Sequence, residues 1–473
     1  MKGFPIDTGE IYFVGIGGIG MSGIADILIN LGYKVAGSDV KENAMTARLA
    51  RKGAEIKIGH RAKNVENASV LVVSSAIAQD NPEIVEAHRL KIPVVRRAEM
   101  LAELMKMKKS IAVAGTHGKT TTTSLIASLL GQADMDPTVI NGGVINAYDS
   151  NARLGSGDWI VVEADESDGS FTKLNSTIAI VTNIDFDHID NFRDFSELKQ
   201  LFMEFVENIP FYGTGILCVD HPEVADLATH IIDRKIITYG FLKSAEISCE
   251  NIKLTDTGSE FDVVFSKSIQ EKYAVPAKWE RVSLNMFGEH NVQNSLAAIA
   301  VALELRISEE NTRIALASFM GVKRRFTKIS QKYGVTVIDD YAHHPVEIKA
   351  VLKTAQSVCK GKIFAVIQPH RYTRLRNFID DFAQVLTLSD YTYVVPIYSA
   401  GEPPNGVDHF SLLEILRNNG EVPAEFTPNV EILCEKISAL AKPDDFVIFL
   451  GAGDITRWAH EFAENFKPGK GRT

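Results

Sequence analysis

The stretch IAVAGTHGKTTT, residues 111–122, decides the fold. Four apolar residues, Ile111 to Ala114, run into Gly115, and Gly118-Lys119-Thr120-Thr121 leads to a helix expected over Ser124 to Leu130. A short apolar strand that enters a glycine turn and then a helix is the repeating piece of a parallel α/β sheet. The same loop carries chemistry. Its amides can cradle phosphates, Lys119 can neutralise β/γ charge, and the Thr120 hydroxyl can reach a Mg²⁺ ion. The spacing departs from the common phosphate loop, because the first glycine stands three residues before Gly118 and position 113 is Val. A purely structural turn is the alternative reading, and the strand before and helix after argue against it.

Upstream, Ile11-Tyr12-Phe13-Val14 leads into Gly15-Ile16-Gly17-Gly18-Ile19-Gly20, a GxGxxG between a strand and a helix. Glycines there let the backbone approach a diphosphate at a helix N-terminus, and Asp39 at the end of the next strand can accept from a ribose or a base. Taken alone this predicts an NAD-type domain, with a bare tight turn as the alternative. Downstream, Val161-Val162-Glu163-Ala164-Asp165-Glu166-Ser167-Asp168 places acids at a strand end, where Glu163 could ligate a nucleotide's Mg²⁺ or simply belong to a solvated loop. The segment Thr182-Asn183-Ile184-Asp185-Phe186-Asp187-His188 ends another strand in two acids and a histidine, and His188 reads equally as a metal ligand or a helix cap. Helices are expected from about Phe195 to Asn208 and from Val292 to Leu305, with alternating β segments between Ile247 and Val282. A third set of strands follows at Val335, Ile363, Tyr393 and Phe446.

The chain has 473 residues, 45% of them hydrophobic, enough for about three domains each with its own core. Fifty basic against 60 acidic side chains give a formal charge of -10, which argues against a general nucleic-acid or anionic-membrane binder. Cys218, Cys249, Cys359 and Cys434 are scattered and form no CxxC pair, so they are expected to be buried thiols in a reducing compartment. The N-terminal residues lack the basic and apolar regions of a signal peptide, and the apolar stretch 11–29 is broken by glycines, Ser22 and Asp26. The expected location is the cytoplasm, without membrane insertion. Two nucleotide-type loops in one chain are the informative combination. An enzyme that activates one nucleotide-bearing substrate with ATP would need both.

Longer motifs sharpen this. GTHGKTTT at 115–122, EADESDGSF at 163–171 and TNIDFDHID at 182–190 resemble the Mur ligase family. The resemblance continues through GIGGIGMSGIA at 15–25, SSAI at 74–77, GEHNVQNSLAA at 288–298, RRF at 324–326, DDYAHHP at 339–345 and QPHRYTR at 368–374. It covers nearly the whole chain. It implies an α/β protein of three domains: a Rossmann-like UDP-sugar-binding domain over 1–108, a central P-loop ATPase-like α/β domain with a β insertion over 109–321, and a Rossmann-like amino-acid-binding domain over 322–473. It implies ATP-dependent ligation of L-alanine to the lactyl carboxylate of UDP-N-acetylmuramate through an acyl phosphate, by a monomer or weak homodimer with no nucleic-acid partner.

The same resemblance distributes roles. Gly115, Thr116, His117, Gly118, Lys119, Thr120 and Thr121 would hold ATP's phosphates. Asn291 and Asn294 would contact adenine, with helix capping as their alternative, and Arg325 and Asp340 would close over the phosphates and ribose. Thr120 and Glu163 would hold one Mg²⁺ and His188 would help hold a second, Mn²⁺ being an acceptable substitute. Gly17, Gly18, Ser38, Asp39, His60, Ser74 and Ser75 become candidates for the UDP moiety, which replaces the NAD reading. Tyr341, His344, His370, Arg371 and Arg374 resemble the wall of the alanine site, although both arginines could equally begin a solvated helix. Relatives that add later residues carry a carbamylated lysine about fifteen positions after the metal histidine. Position 203 is Met here and Lys199 lies one turn early, so no carbamylation is expected.

Three other functions compete. A related recycling ligase attaches an intact tripeptide to the same sugar nucleotide, but its motifs resemble EYDCAFFD and NNLEFDHADIF rather than those found here. An NAD-dependent oxidoreductase leaves GKTTT and the ordered acids unexplained. A nucleotide-sensing module would not need the His- and Arg-rich segments of the last third.

Overall fold

The structure, a computed structural model, describes residues 4, 8–74, 76–167, 169–185, 192–255 and 257–467. Its first sheet is wholly parallel. Glu10–Val14, buried along its length, lies between Lys34–Asp39 and Ala68–Val73, with Glu55–Ile58 and Val94–Arg96 outside them. Strands buried on both faces must be apolar throughout, which is why Ile11-Tyr12-Phe13-Val14 shows no alternation. The chain leaves Glu10–Val14 toward one neighbour and later returns to the other. That reversal opens a crevice at the strands' C-terminal ends, where the glycine cluster, Asp39 and Ser74 lie.

The second sheet has ten strands in the order Lys278–Leu284, Ser259–Phe265, Ile247–Leu254, Ile236–Tyr239, Thr214–Cys218, Ile178–Val181, Lys109–Ala114, Trp159–Glu163, Thr138–Ile145 and Ser150–Arg153. Its middle is parallel and its two edges are antiparallel. The expected β insertion is present and extends the sheet's edge instead of forming a separate layer. Lys109–Ala114 sits between Trp159–Glu163 and Ile178–Val181, so the three motifs that follow these strands converge at one end. The helix after the phosphate loop spans Lys119–Gln132, beginning five residues before the expected Ser124. Gly118 in the left-handed region, φ 82°, turns the chain directly into it, and burial of the threonine-rich first turn overrides its poor helix propensity. The other two expected helices are found at Phe195–Glu207 and Glu289–Glu304.

The third sheet runs Thr327–Lys332, Val335–Asp340, Phe446–Leu450, Ile363–Ile367, Tyr391–Val394 and Ala424–Phe426, antiparallel only at its first pair, with apolar clusters on both faces. The chain separates into two compact units, one of residues 1–286 and 291–321 and one of 287–290 and 322–473. The first unit contains the first two sheets. There Asp26, buried, pairs with Arg48 at 3.0 Å and Lys52 at 2.5 Å, while Arg48 donates to Ser150 Oγ at 2.7 Å and Asn151 donates to the Ile19 carbonyl at 2.6 Å. All four cysteines are free thiols, but only Cys218, within a central strand, is buried; the other three are half-buried, a correction to the expected four. Among the described residues no helix is long and apolar enough to cross a membrane.

Candidate functional site

At the convergent end of the ten-stranded sheet, the phosphate loop is tied down from the side. His117 N–H donates to Asn183 Oδ1 at 2.8 Å, while Thr182 Oγ1 and Asn183 Nδ2 donate to the His117 carbonyl at 2.6 and 3.0 Å. Asp185 lies 3.2 Å from both His117 Nε2 and His221 Nε2. Burial works against its charge, yet these two contacts hold its carboxyl far below the usual carboxylate range. Lys119 Nζ donates to the Gly115 carbonyl at 2.5 Å and to Glu166 Oε1 at 3.0 Å, with Oε2 at 2.9 Å. Burial opposes the ammonium charge, but Glu166, Glu163 and Asp165 outweigh it and hold the lysine above its ordinary value. Burial raises Glu166 in turn to about 7. Sequence reasoning missed Glu166, Asp185 and His221. The first two lie inside motifs already singled out, but pairing with Lys119 and His117 depends on strand order.

Thr120 is the second residue of the phosphate-loop helix; Ser124 Oγ donates to its carbonyl at 2.7 Å and accepts from Asn141 Nδ2 at 2.8 Å. One residue on, Gly142 N–H donates to Glu163 Oε2 at 2.7 Å, and a Cβ at Gly142 would stand 2.5 Å from Glu163 Oε1. Glu163 is thus held beside the helix start by a strand whose glycine lets the carboxylate approach its backbone closely. Hydroxyl and carboxylate oxygens suit Mg²⁺, which commonly completes its shell with water and phosphate. Among the described residues no group of three or more His, Cys, Asp or Glu side chains is assembled for a metal. His188 lies outside the described residues, as do Asp168 and Asp187. Met203 packs against the core, and Lys199 pairs with Glu223 at 2.9 Å.

Asn291 and Asn294 lie within Glu289–Glu304, both buried, Asn291 in its first turn and Asn294 beyond it, where no unpaired helix N–H is left to cap. Asn294 Oδ1 would be 2.7 Å from a Cβ on Gly118, so this amide closes over the phosphate loop.

In the first sheet's crevice, Asp39 accepts from Gly17 N–H at 2.9 Å and Asn43 donates to the Gly17 carbonyl at 3.3 Å, which organises the glycine cluster. Gly18 precedes Ile19–Asn30 and is exposed. Ser38 is fully buried and turned inward, donating to Glu83 Oε2 at 2.6 Å, while His60 Nδ1 lies 3.0 Å from Ser38 Oγ and 2.9 Å from Glu83 Oε2. Ser38 and His60 therefore belong to one buried network centred on Glu83. Ser74 Oγ accepts from Ala76 N–H at the mouth of the crevice, and Ser75 lies outside the described residues.

In the second compact unit, Arg325 stacks 5.5 Å from the Tyr341 ring centre and lies 3.9 Å from Glu347. Asp340, buried, accepts from Phe326 and Ala342 N–H groups at 2.6 and 2.7 Å; burial nevertheless pushes its carboxyl up to about 6. Since the unfolded reference is 3.8, the cost of ionising this group in the fold is absent below about pH 4 and complete above about pH 6. Asp340→Asn should therefore gain on the parent by up to about 3 kcal/mol between about pH 4 and pH 8. Urea unfolding at both values measures this, and an unchanged difference would show that Asp340 titrates normally.

Tyr341, His343, His370 and Tyr398 form a chain of ring contacts, with centroids at 5.2, 5.6 and 5.4 Å, the last pair stacked at 10°. His344 is not in it. Its Nδ1 caps Pro345–Val358, accepting from Val346 N–H, and its buried ring packs on Phe378 at 4.7 Å. The histidine doublet places one ring in each environment, and His343 is the one that sequence reasoning missed. Arg374 is buried, with Nη1 3.5 Å from His370 Nδ1, which removes the solvated-helix alternative for it. Burial, with the charges of His343, Arg374 and Arg371, pushes His370 down to about 3, so it is neutral at physiological pH. Arg371, at φ 70°, stands just before Tyr372–Leu386 with Nε bound to Glu402 Oε1 at 2.6 Å.

Three family models match consecutive parts of the chain: "Mur ligase family, catalytic domain" over residues 10–109, "Mur ligase middle domain" over 113–302 and "Mur ligase, glutamate ligase domain" over 324–453. The UDP-N-acetylmuramate–L-alanine ligase of Maricaulis maris is 53% identical over 457 residues, covering 96% of this chain and 97% of its own. That of Rhodospirillum centenum is 53% identical over 461 residues, covering 97% and 95%. Among solved structures, UDP-N-acetylmuramate-alanine ligase from Thermotoga maritima superposes with a TM-score of 0.82 at 29% identity, covering 96% of this chain and 98% of its own. A murein peptide ligase from Psychrobacter arcticus gives 0.70 at 25% identity, covering 97% and 99%. The three sheets thus correspond to three α/β domains of one known architecture. With likeness of this length and order reaching every sheet and both nucleotide-type loops, the chain belongs to the Mur ligase family.

Proposed function

We propose that this protein ligates L-alanine to the lactyl carboxylate of UDP-N-acetylmuramate with ATP, forming UDP-N-acetylmuramoyl-L-alanine, ADP and phosphate as a step in peptidoglycan precursor synthesis in the cytoplasm. The observation that carries it is the convergence of Lys119, Thr120 and Glu163 at adjoining strand ends, in a chain half identical over its length to ligases of that name. A carboxylate oxygen of the sugar nucleotide attacks the γ-phosphorus and the bond to ADP breaks. The alanine nitrogen then attacks the acyl carbon, phosphate leaves, and the amine proton passes to phosphate or solvent.

The protein's part is positioning and charge neutralisation. Residues 109–321 hold ATP, with Lys119 and the loop amides on the β/γ-phosphates and Asn291 and Asn294 toward adenine. Residues 1–108 hold the UDP moiety along Gly17, Gly18 and Asp39, with Ser38 and His60 supporting that surface from below. Residues 322–473 supply Arg325 and Asp340 to the nucleotide and Tyr341, His370, Arg371 and Arg374 to alanine. Thr120 and Glu163 would hold a Mg²⁺ ion and His188 would help hold a second, and such ions would neutralise phosphate charge.

The test is phosphate release by purified protein with ATP, Mg²⁺ and UDP-N-acetylmuramate, adding single amino acids or a tripeptide in turn. Release that depends on both the sugar nucleotide and L-alanine is expected. Release without either dependence overturns the reading, and preference for the tripeptide would make the protein a recycling ligase.

A further inference from the structure

Arg371 occupies a backbone conformation that a side chain larger than glycine rarely adopts, φ 70°, and contributes no side-chain cap to the helix Tyr372–Leu386 that follows it. Something else must hold this turn. Glu402, remote in sequence, does so with one carboxylate. Its Oε2 accepts from Thr373 N–H at 3.0 Å, supplying the missing cap, and its Oε1 accepts from Thr373 Oγ1 at 2.8 Å and from Arg371 Nε at 2.6 Å. The same loop is pinned again by backbone: Arg371 N–H donates to the Tyr398 carbonyl at 2.8 Å, and Tyr398 N–H donates to the Pro369 carbonyl at 2.9 Å. These bonds set the Tyr398 ring flat on His370.

The consequence lies in which edge of the guanidinium is used. Glu402 takes Nε, while Nη1 and Nη2 of Arg371 have no hydrogen-bond partner among the described residues. The arginine side chain is 36% exposed and the glutamate 14%, so the held edge faces inward and the open edge faces water. Paired Nη donors at a fixed angle are the geometry that receives a carboxylate bidentately. Arg374, one helical turn on and buried, adds a second cation on the same side.

We propose that Glu402 is a positioning residue of the amino-acid pocket: by binding Arg371 Nε and capping the Tyr372–Leu386 helix it aims the paired Nη donors at the α-carboxylate of the incoming amino acid and seats Tyr398 as that pocket's wall. This rests on the assignment of Arg371 and Arg374 to the amino-acid site. Glu402 itself touches no substrate. Burial opposes its charge, and the bonds from Thr373 and the Arg371 cation outweigh that, so the carboxylate is ionised well below neutral pH and the lock is permanent under working conditions.

Steady-state kinetics of the full-length enzyme test it. Glu402→Gln keeps size and one acceptor but loses the charge that orients Arg371. It should raise KM for L-alanine by about 10- to 100-fold, leave KM for ATP and UDP-N-acetylmuramate within about twofold, and change kcat little. A helix cap that served folding alone would lower the melting temperature and leave the three KM values in proportion. Arg371→Gln and the double variant should each match Glu402→Gln, because both act through one guanidinium. Arg374→Gln is the control on the site. If it raises alanine KM while Glu402→Gln does not, the positioning role is overturned and the site stands. If neither changes alanine KM, both are overturned.

Discussion

Lys119→Ala should reduce ATP-dependent phosphate release by about 10²–10³-fold or more, the scale of removing one preorganised charge stabiliser from a transition state. Lys119 is the cation at the head of the phosphate-loop helix, and its ammonium is kept charged by the acids around it. UDP-N-acetylmuramate affinity, read by calorimetry, should stay within about twofold of the parent, because the crevice proposed for it belongs to a different sheet. The change also strips Glu166 of its counter-charge. That carboxyl already lies near 7 and is buried, so it takes up a proton instead of remaining as an unpaired buried anion. The variant is therefore expected to fold, which its circular dichroism checks, and loss of activity together with loss of sugar-nucleotide binding in a folded variant would contradict the assignment of the two ligands to separate sheets.

The second large effect is expected far from the phosphates. Glu83 has no exposed surface, and its carboxylate receives Ser38 Oγ and Asn64 Nδ2 at 2.6 Å each and Tyr12 OH at 3.1 Å, with His60 Nδ1 at 2.9 Å. Glu83→Ala leaves these groups without their common partner in a site that excludes water. Each stranded buried group costs about 1–3 kcal/mol, and the net loss should be about 3–5 kcal/mol after relaxation. Urea unfolding followed through loss of UDP-N-acetylmuramate binding measures it. His60 and the end of Lys34–Asp39 lose their anchor together, so sugar-nucleotide affinity should fall by about tenfold or more even where the protein is folded. An unchanged unfolding midpoint would show the network to be dispensable.

Glu83 illustrates what sequence reading could not reach. It sits in Pro82–Arg89, an unremarkable polar helix with no motif around it, and it matters only because Tyr12, Ser38, His60 and Asn64 from four other places meet it. Ser38 is expected from the sequence as a contact to the UDP moiety, and which way its hydroxyl turns depends on that meeting. His344 and His343 make the same point. Adjacent residues at a helix start face different surroundings, and only the packing of Phe378 against one and Tyr341 against the other separates the helix cap from the chain of ring contacts. Glu402 lies 31 positions beyond Arg371, in a loop with no signal of its own.

What the sequence determined by itself was local and periodic: apolar runs that must be buried parallel strands, glycines where the backbone must turn tightly, and cations and acids placed at strand ends. Those features follow from steric limits on the backbone and from the avoidance of water by apolar surface, both of which act over a few residues. Strand order, and with it the convergence of Lys119, Glu166 and Glu163, was decided by the tertiary structure alone, because the pairing of Lys109–Ala114 with Trp159–Glu163 and Ile178–Val181 joins segments tens of residues apart. So were the partners of buried charges. A buried carboxylate is stable only where several donors arrive together, and a linear sequence does not record arrivals.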